Sequence, residues 1–183
     1  KNRTEEQINL EIEQMAASLG AFSGRNTMGL SLEILQPYQA KMSELFAEVL
    51  TQPIWPKNGI EREKKLQMEQ IRTKADNPSQ IAVQNFMSSL FTSHPYSRDI
   101  LGSKESLTNI GQTEVKNYFS RLTTKKNAYF VVAGNFDRQL WLDCIENSVK
   151  HFDVGQSARQ IFDFHPPDKD VCITSHSDKA QSH

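Results

Sequence analysis

The sequence predicts an α+β fold in which helices pack on one face of a mainly antiparallel sheet. Two patterns support this prediction. Apolar residues recur at helical spacing through most of the first two-thirds of the chain, whereas strand-like patterns are confined to a few short stretches. Because two or three strands cannot cover that much amphipathic helix, we expect the fold to lack strands on its N-terminal side.

The chain opens with signals for a helix followed by a strand. Thr4–Gln7 reads Thr-Glu-Glu-Gln, a capping box that predicts a helix start. Helical spacing continues and Gly20 is the predicted helix end, after the apolar positions Ile8, Ile12, Met15 and Leu19. Residues 21–26 then predict a turn before a half-buried strand, in which Met28, Leu30, Leu32 and Ile34 alternate with Gly29, Ser31 and Glu33.

Five further helices are predicted in the middle of the chain. Pro37 suits the first turn of a helix, and Asn77-Pro78 closes one helix and caps the next. The predicted helices are one from Pro37 to before Pro53, a charged one at 59–75, one after Pro78, and two shorter ones at 103–110 and 112–122. The expected buried positions are Met42, Leu45, Phe46, Val49 and Leu50 in the first of these, and Ile81, Phe86, Met87, Leu90 and Phe91 in the third.

The C-terminal third of the chain has a different pattern. Residues 128–133 form a continuous apolar run, which is typical of a buried central strand. Asp137 is expected to cap a last helix that reaches Phe152. We therefore predict three segments: a domain at 1–152, a linker at 153–170, and the start of a following strand or second domain at 171–183.

The overall composition argues against nucleic acid and membrane as partners. The chain has 21 basic and 22 acidic side chains and a net charge of -1, so no global field favours either one. No apolar run approaches the roughly 18 residues needed to span a bilayer. Cys144 and Cys172 lack metal-ligand spacing, and we interpret both as small buried hydrophobes.

No local motif for catalysis or cofactor binding is present. The five histidines are widely spread, and none has a Glu or a second His placed to share a helical zinc face. Gly20–Gly24 has the wrong register for a nucleophile elbow, and the glycines match no dinucleotide or phosphate loop. Local spacing therefore predicts no catalytic residue, no cofactor-binding residue and no metal site.

The order of several short phrases is more specific than any one of them. The phrases are Leu19-Gly20-Ala21, Pro53, Ile60-Glu61-Arg62-Glu63, Asp76-Asn77-Pro78, His94-Pro95-Tyr96, Gly102 and Val131-Val132-Ala133-Gly134-Asn135. Their succession between Lys1 and Phe152 resembles the first half-unit of the insulinase/pitrilysin family of zinc metallopeptidases, the inverted zincins. The resemblance implies a metallopeptidase half-domain fold.

The resemblance also implies a metal site that this chain does not complete. The family motif His-x-x-Glu-His is absent and is expected upstream of Lys1. The family's third zinc ligand is a Glu on the helix corresponding to 60–75, preceded seven residues earlier by another Glu. Placing Glu63 at the earlier position puts Gln70, a poor zinc ligand, at the ligand position. Glu69 lies about 100° away around the helix, so Glu63 and Glu69 are kept as metal candidates, with ordinary surface charge the preferred interpretation.

The resemblance leads to a hypothesis about function. Many family members pair an active half with a related half that has lost its zinc site, and Ser23–Asn26 and His94–Tyr96 are more typical of the degenerate half. The hypothesis is a noncatalytic module of a multi-domain or two-subunit bacterial peptidase, and the sequence does not distinguish bacterial cytoplasm from periplasm as its compartment. The module would form a wall of the peptide-digesting chamber and help to hold the peptide substrate.

This chain alone is expected to be inactive, and zinc would reside in the parent protein or the partner half. Its partners would be other domains or a catalytic partner subunit of the same family. The resemblance leaves two rival functions open: the downstream part of an active metalloendopeptidase domain whose His-x-x-Glu-His precedes residue 1, or a non-enzymatic scaffold subunit of the same fold. An unrelated α+β binding module is the third rival.

Overall fold

The computed structural model describes residues 3–164, which contain seven α-helices and one β-hairpin. The strands are β1 (Ser18–Ser23) and β2 (Met28–Glu33). The helices are α1 (Glu5–Gln14), α2 (Gln39–Thr51), α3 (Lys57–Ala75), α4 (Pro78–Leu90), α5 (Lys104–Thr108), α6 (Gln112–Leu122) and α7 (Arg138–Lys150), with short 3-10 turns at Gln36–Tyr38 and Pro95–Ser97. The predicted α+β class is therefore confirmed, whereas the strand predicted within 171–183 lies outside the described residues.

The described residues separate into two compact units. Unit 1 takes in residues 3–54 and 117–158, and unit 2 takes in residues 55–116 and 159–164. The division falls inside α6. The domain limits drawn from the sequence at 152 and 170 remain predictions. Among the helices of residues 3–164, none combines the length and the apolar character needed to cross a membrane.

Side-chain caps start α1, α4 and α7, as the sequence predicts. At α1 the Thr4 hydroxyl accepts the Gln7 N–H at 3.2 Å, and the Gln7 side chain accepts the Thr4 N–H at 2.9 Å, which completes the capping box. The Asn77 side chain accepts the Gln80 N–H at 3.2 Å at the start of α4. The Asp137 carboxylate accepts two N–H groups of the first turn of α7. Each cap satisfies backbone donors that the helix itself leaves unpaired.

The prediction that the first helix ends at Gly20 is wrong. Ala16 adopts a left-handed conformation with φ of 46° directly after α1. The Ala17 N–H donates to the Ile12 carbonyl and the Ala16 N–H donates to the Glu13 carbonyl, which is the Schellman pattern. The helix therefore stops without a glycine, and the residues that follow are free to form β1.

The β-hairpin has one apolar face, as the alternation in the sequence predicts. β1 and β2 pair antiparallel, with Leu19 opposite Leu32, and Leu32 packs against the buried core. The predicted turn at 21–26 starts too early, because residues 21–23 belong to β1. The chain reverses over residues 24–27, where the Gly24 N–H donates to the Thr27 carbonyl at 2.8 Å.

The core of unit 1 joins α1, α2 and the hairpin. Met42 and Leu45 of α2 are fully buried, as predicted, and Met15 packs beside them. The partly buried side chains around this cluster are Ile8, Ile12, Ala17, Leu32, Ile34 and Val49. Full burial of a Leu or Met side chain contributes roughly 1.5–3 kcal/mol, so this cluster is a main source of stability for unit 1.

Helix α7 packs along α2 in the same unit. Phe46 and Trp141 meet edge to face with ring centroids 6.4 Å apart. The Gln39 side-chain oxygen accepts the Asp137 N–H at 2.8 Å, which ties the start of α7 to the start of α2. Trp141 is buried at this contact.

Unit 2 is built on α3, α4 and the loop that precedes α5. Lys74 forms an ion pair with Asp99, and the Gln67 amide donates to the Leu101 carbonyl at 2.8 Å. The prediction that Phe86 lies on the buried side of α4 is wrong, because its side chain is 63% exposed. Position 86 is one step, or about 100°, from position 87, which is partly buried and lies on the inward side.

The prediction of a central strand at 128–133 is also wrong for the structure described. These residues belong to no strand, and the exposed fractions of Tyr129 and Val131 are both 91%. A strand needs a neighbour to accept and donate its backbone hydrogen bonds, and within residues 3–164 the only sheet is the hairpin of β1 and β2. The apolar sequence is present, but its pairing partner is not among the described residues.

Residues 153–158 contact residues 124–127 within unit 1. Thr124 and Asp153 form an isolated parallel bridge. Gly155 has a left-handed φ of 61° and lies directly against the buried Thr124 side chain. The Asn127 side-chain oxygen accepts the Ala158 N–H at 2.7 Å. Backbone and side-chain contacts therefore hold residues 153–158 at defined positions.

Candidate functional site

One face of α3 carries the residues that the family resemblance marks for metal binding. Residues three and four positions apart lie on the same face of a helix, so Glu63, Leu66 and Gln70 form one line. Glu63 and Gln70 are exposed, and Leu66 between them is 54% exposed. The centre of this face is therefore an apolar side chain without a donor atom for a metal.

The carboxylates of α3 lie close to basic side chains of the same helix. The Arg62 guanidinium is 3.2 Å from the Glu63 carboxylate, and the Lys64 ammonium is 3.2 Å from the Glu61 carboxylate. Glu69 is exposed and is turned by about 100° from Gln70. Exposed ion pairs of this kind contribute about 0–1 kcal/mol each and are typical of a solvated helix face.

The donor set of the described residues does not fit zinc. A zinc site needs at least three His, Cys or carboxylate side chains that converge on one point. Within residues 3–164 no three such side chains come together. The His94 imidazole accepts the Tyr96 N–H at 3.1 Å through Nδ1, and the exposed His151 follows the end of α7. His165, His176 and His183 lie outside the described residues.

A partly buried ion cluster, which the sequence does not indicate, joins the start of the chain to α1 and α2. The Arg3 guanidinium is 3.0 Å from the Glu11 carboxylate and also pairs with Glu48. Exposed fractions of these side chains are 16%, 21% and 17% for Arg3, Glu11 and Glu48. Lys41 lies 3.7 Å from Glu11. The Arg3–Glu48 pair is 45 residues apart in sequence, and no local spacing indicates such a contact.

An open cleft of about 270 Å³ lies in unit 1, near the C-terminal ends of α2 and α7. The residues that line it are Glu44, Ala47, Glu48, Thr51, Gln52, Asn147, Ser148 and His151. The Thr51 and Ser148 hydroxyls donate to the carbonyls of Ala47 and Cys144, one helical turn back. Neither hydroxyl therefore has the side-chain base that a serine- or threonine-type nucleophile requires.

Cys144 is not an activated nucleophile. Burial raises the pKa of the Cys144 thiol, and a hydrogen bond with the Ser148 hydroxyl opposes this only in part. The thiol donates to the Ser43 carbonyl at 3.4 Å. A reactive cysteine needs a lowered pKa and a positively charged surrounding, and Cys144 has the opposite environment.

Unit 2 contains an aromatic cluster that the sequence does not indicate either. Phe91, His94 and Tyr96 lie together after the end of α4, and Phe162 and Phe164 contact them. The phrase His94-Pro95-Tyr96 is visible in the sequence, but its contact with a segment about seventy residues later is not. Ring centroids within this cluster lie 4.7–5.6 Å apart.

Comparison with known proteins relates these features to a family. The sequence model of insulinase (peptidase family M16) matches residues 1–104. An uncharacterized zinc protease of Rickettsia felis is 22% identical over 156 residues, which cover 85% of this chain and 38% of that protein. The mitochondrial-processing peptidase subunit beta of Neurospora crassa is 25% identical over 150 residues, 82% of this chain and 31% of that protein. The chain thus spans between 31% and 38% of the length of these relatives.

A solved structure supports the fold. The crystal structure of a peptidase M16 inactive domain from Pseudomonas fluorescens superposes with a TM-score of 0.83 at 20% identity, covering 91% of this chain and 41% of that one. At this identity the likeness shows the fold, and it agrees with the half-domain expected from the resemblance. The matched family model covers more than half of the 183 residues, so the chain belongs to the insulinase family of peptidases, family M16.

Proposed function

We propose that this chain is part of a noncatalytic half of a zinc metallopeptidase, where it forms a wall of the peptide-digesting chamber and supports substrate binding. The exposed face of α3 carries the proposal. At the family's carboxylate position this face has the amide of Gln70, and the exposed Leu66 lies between Gln70 and Glu63. An amide is a poor zinc ligand compared with a carboxylate.

Two comparisons support separate parts of this proposal. The Pseudomonas fluorescens structure is that of an inactive peptidase M16 domain, which supports the noncatalytic role. The Neurospora crassa relative is named as a peptidase subunit, which supports a partner of the same family. Zinc in the parent protein follows from relatives named as zinc proteases, and in our proposal a partner half of the same family holds it. The described residues do not fit zinc, and we assign no metal-dependent step to them.

The exposed apolar segment at 128–133 indicates that this chain works with another part of a protein. Tyr129 and Val131 are almost fully exposed, and the segment has no partner strand among the described residues. Unpaired apolar segments are completed when another strand pairs with them. In the proposed module the strand comes from the rest of the parent protein, and residues 1–152 act as the peptidase-like domain.

The metal candidates can be tested directly on the purified chain. We expect no stoichiometric zinc after dialysis against a weak chelator, as measured by elemental analysis. The variants Glu63→Gln and Glu69→Gln should have the same zinc content as the unmodified chain, because among the described residues neither carboxylate meets two further His, Cys or carboxylate side chains. One zinc per chain that is lost in either variant would overturn the assignment.

Peptidase activity separates the proposal from its rivals. The purified chain with added zinc should not hydrolyse a fluorogenic peptide library above the rate of a heat-denatured control. Hydrolysis by the chain alone would contradict the proposal. The rival in which this is the downstream part of an active domain predicts activity once sixty or so residues with His-x-x-Glu-His are present before residue 1. The scaffold rival predicts a copurifying partner and a complex without peptidase activity.

A further inference from the structure

We propose that Phe91, His94 and Tyr96 form a binding site for extended peptide segments with aromatic residues two positions apart, and that Phe162 and Phe164 of the same chain occupy it. We call the three residues the aromatic platform, and residues 161–164 the strap. This inference is independent of the noncatalytic role proposed above, because it concerns unit 2 and involves no metal.

The aromatic platform is held in place by its own contacts. Phe91 and Tyr96 meet edge to face with centroids 5.6 Å apart, and His94 and Tyr96 do so at 4.7 Å. The Tyr96 N–H donates to His94 Nδ1 at 3.1 Å, and the Ser97 N–H donates to the His94 carbonyl at 3.0 Å. The bond to Nδ1 orients the His94 ring, which also contacts Phe91 with centroids 5.4 Å apart, so that each of the three rings touches the other two. Contacts among its own three residues therefore position the platform, in addition to the contacts with Phe162 and Phe164.

The strap shows how a ligand fits the aromatic platform. The Phe162 ring lies 5.2 Å from His94 at an interplanar angle of 71°, and the Phe164 ring lies 5.6 Å from Phe91 at 63°. In an extended chain, side chains two positions apart point to the same side. Phe162 and Phe164 can thus both reach the platform while Asp163 between them points away. The recognised feature is an aromatic residue at every second position of an extended segment.

Because Phe162 and Phe164 are only partly buried, the strap can leave the aromatic platform and another peptide can take its place. Phe162 is 43% exposed and Phe164 is 52% exposed, so each ring keeps about half of its surface in solvent. Ile161 is 84% exposed, and residues 161–164 belong to no helix or strand. Two half-buried rings hold the strap without a backbone ladder, and a second peptide with the same spacing can compete for the same surface.

Competition from the strap must be removed before binding in trans can be measured. A segment of the same chain has an effective concentration in the mM range. An external peptide can bind only the platforms that the strap leaves free, so its apparent affinity falls in proportion to that free fraction. The test uses the full chain and the double variant Phe162→Ala/Phe164→Ala. The probe is a fluorescein-labelled peptide with the sequence of residues 159–164, Arg-Gln-Ile-Phe-Asp-Phe.

Fluorescence polarisation should show the probe binding the double variant at least about tenfold more tightly than the unmodified chain. Adding Phe91→Ala to the double variant should weaken binding at least about tenfold, because the partner ring of Phe164 is lost. A control peptide with alanine in place of both phenylalanines should not bind. Far-UV circular dichroism checks that each variant keeps its helices.

Three results would overturn the inference. The first is equal affinity of the probe for the unmodified chain and the double variant. The second is no binding to the double variant at about 1 mM protein. The third is unchanged binding when Phe91→Ala is added in a variant that keeps its helical signal, since the probe would then lie elsewhere.

Discussion

Replacing Leu45 with alanine is expected to lower the free energy of unfolding by about 3 kcal/mol. Leu45 has no exposed surface and packs with Met15 and Met42 where α1, α2 and the hairpin meet. Truncation removes buried methyl groups and leaves a cavity that the neighbouring elements can close only in part. Urea denaturation followed by far-UV circular dichroism measures the change.

Leu10 provides the matched control in the same unit. It lies on α1 and is 55% exposed, and the same substitution removes the same atoms. Because Leu10→Ala opens no buried cavity, we expect a change of about 0.5 kcal/mol or less. Equal destabilisation by Leu45→Ala and Leu10→Ala would show that the core of unit 1 is not where the structure places it.

Replacing Gly155 with alanine is expected to destabilise unit 1 by about 3 kcal/mol. Gly155 has a φ of +61°, which costs a residue with a Cβ atom about 1–2 kcal/mol. The added methyl group would also lie within 2.5 Å of Cγ2 and 2.6 Å of Oγ1 of Thr124. Thr124 is only 4% exposed, so its side chain has little room to move. The midpoint of urea unfolding should fall accordingly.

Gly134→Ala separates the two causes. Gly134 has a φ of +117° in the same unit, but a Cβ atom there would meet nothing within 4 Å. This variant reports backbone strain without a clash, and we expect it to cost about 1–3 kcal/mol, because a φ of +117° lies outside the left-handed region that other residues tolerate. If Gly155→Ala costs no more than the roughly 1–2 kcal/mol that left-handed backbone strain explains by itself, the contact between Gly155 and Thr124 does not hold residues 153–158 in place.

The family assignment concerns the fold of this chain, whereas the residues on the α3 face concern its activity. Membership of the insulinase family concerns the fold, and fold alone does not establish a reaction. Activity depends on whether donor side chains meet, and the carboxylates of α3 do not converge with two further metal ligands among the described residues. The zinc and peptidase experiments therefore test the site and leave the family assignment unaffected.

Much of the local structure could be predicted because the interactions that form it are close in sequence. The capping box at Thr4 joins residues three apart, and the Asp137 cap reaches only into the first turn of α7. The alternation in β2 and the inward positions Met42 and Leu45 follow from strand and helix periods. The family could also be predicted, because the order of its short sequence motifs can be read directly from the chain.

Other features depended on contacts with residues that no local sequence pattern identifies. Ala16 ends α1 in a conformation that usually favours glycine, and β1 forms because β2 is available to pair with it. Residues 128–133 have the composition of a strand, yet without a neighbouring strand their backbone cannot form a ladder.

By itself, therefore, the sequence determined the positions of most helices, the apolar face of the hairpin, the family, and the absence of a local zinc motif. Only the tertiary structure decided that Arg3 pairs with Glu48, that Gly155 contacts Thr124, and that the strap meets the aromatic platform. Periodicity reports which side of an element is apolar, because it reflects neighbours within one or two turns. It carries no information about which distant segment covers that side, and that choice is made by packing in three dimensions.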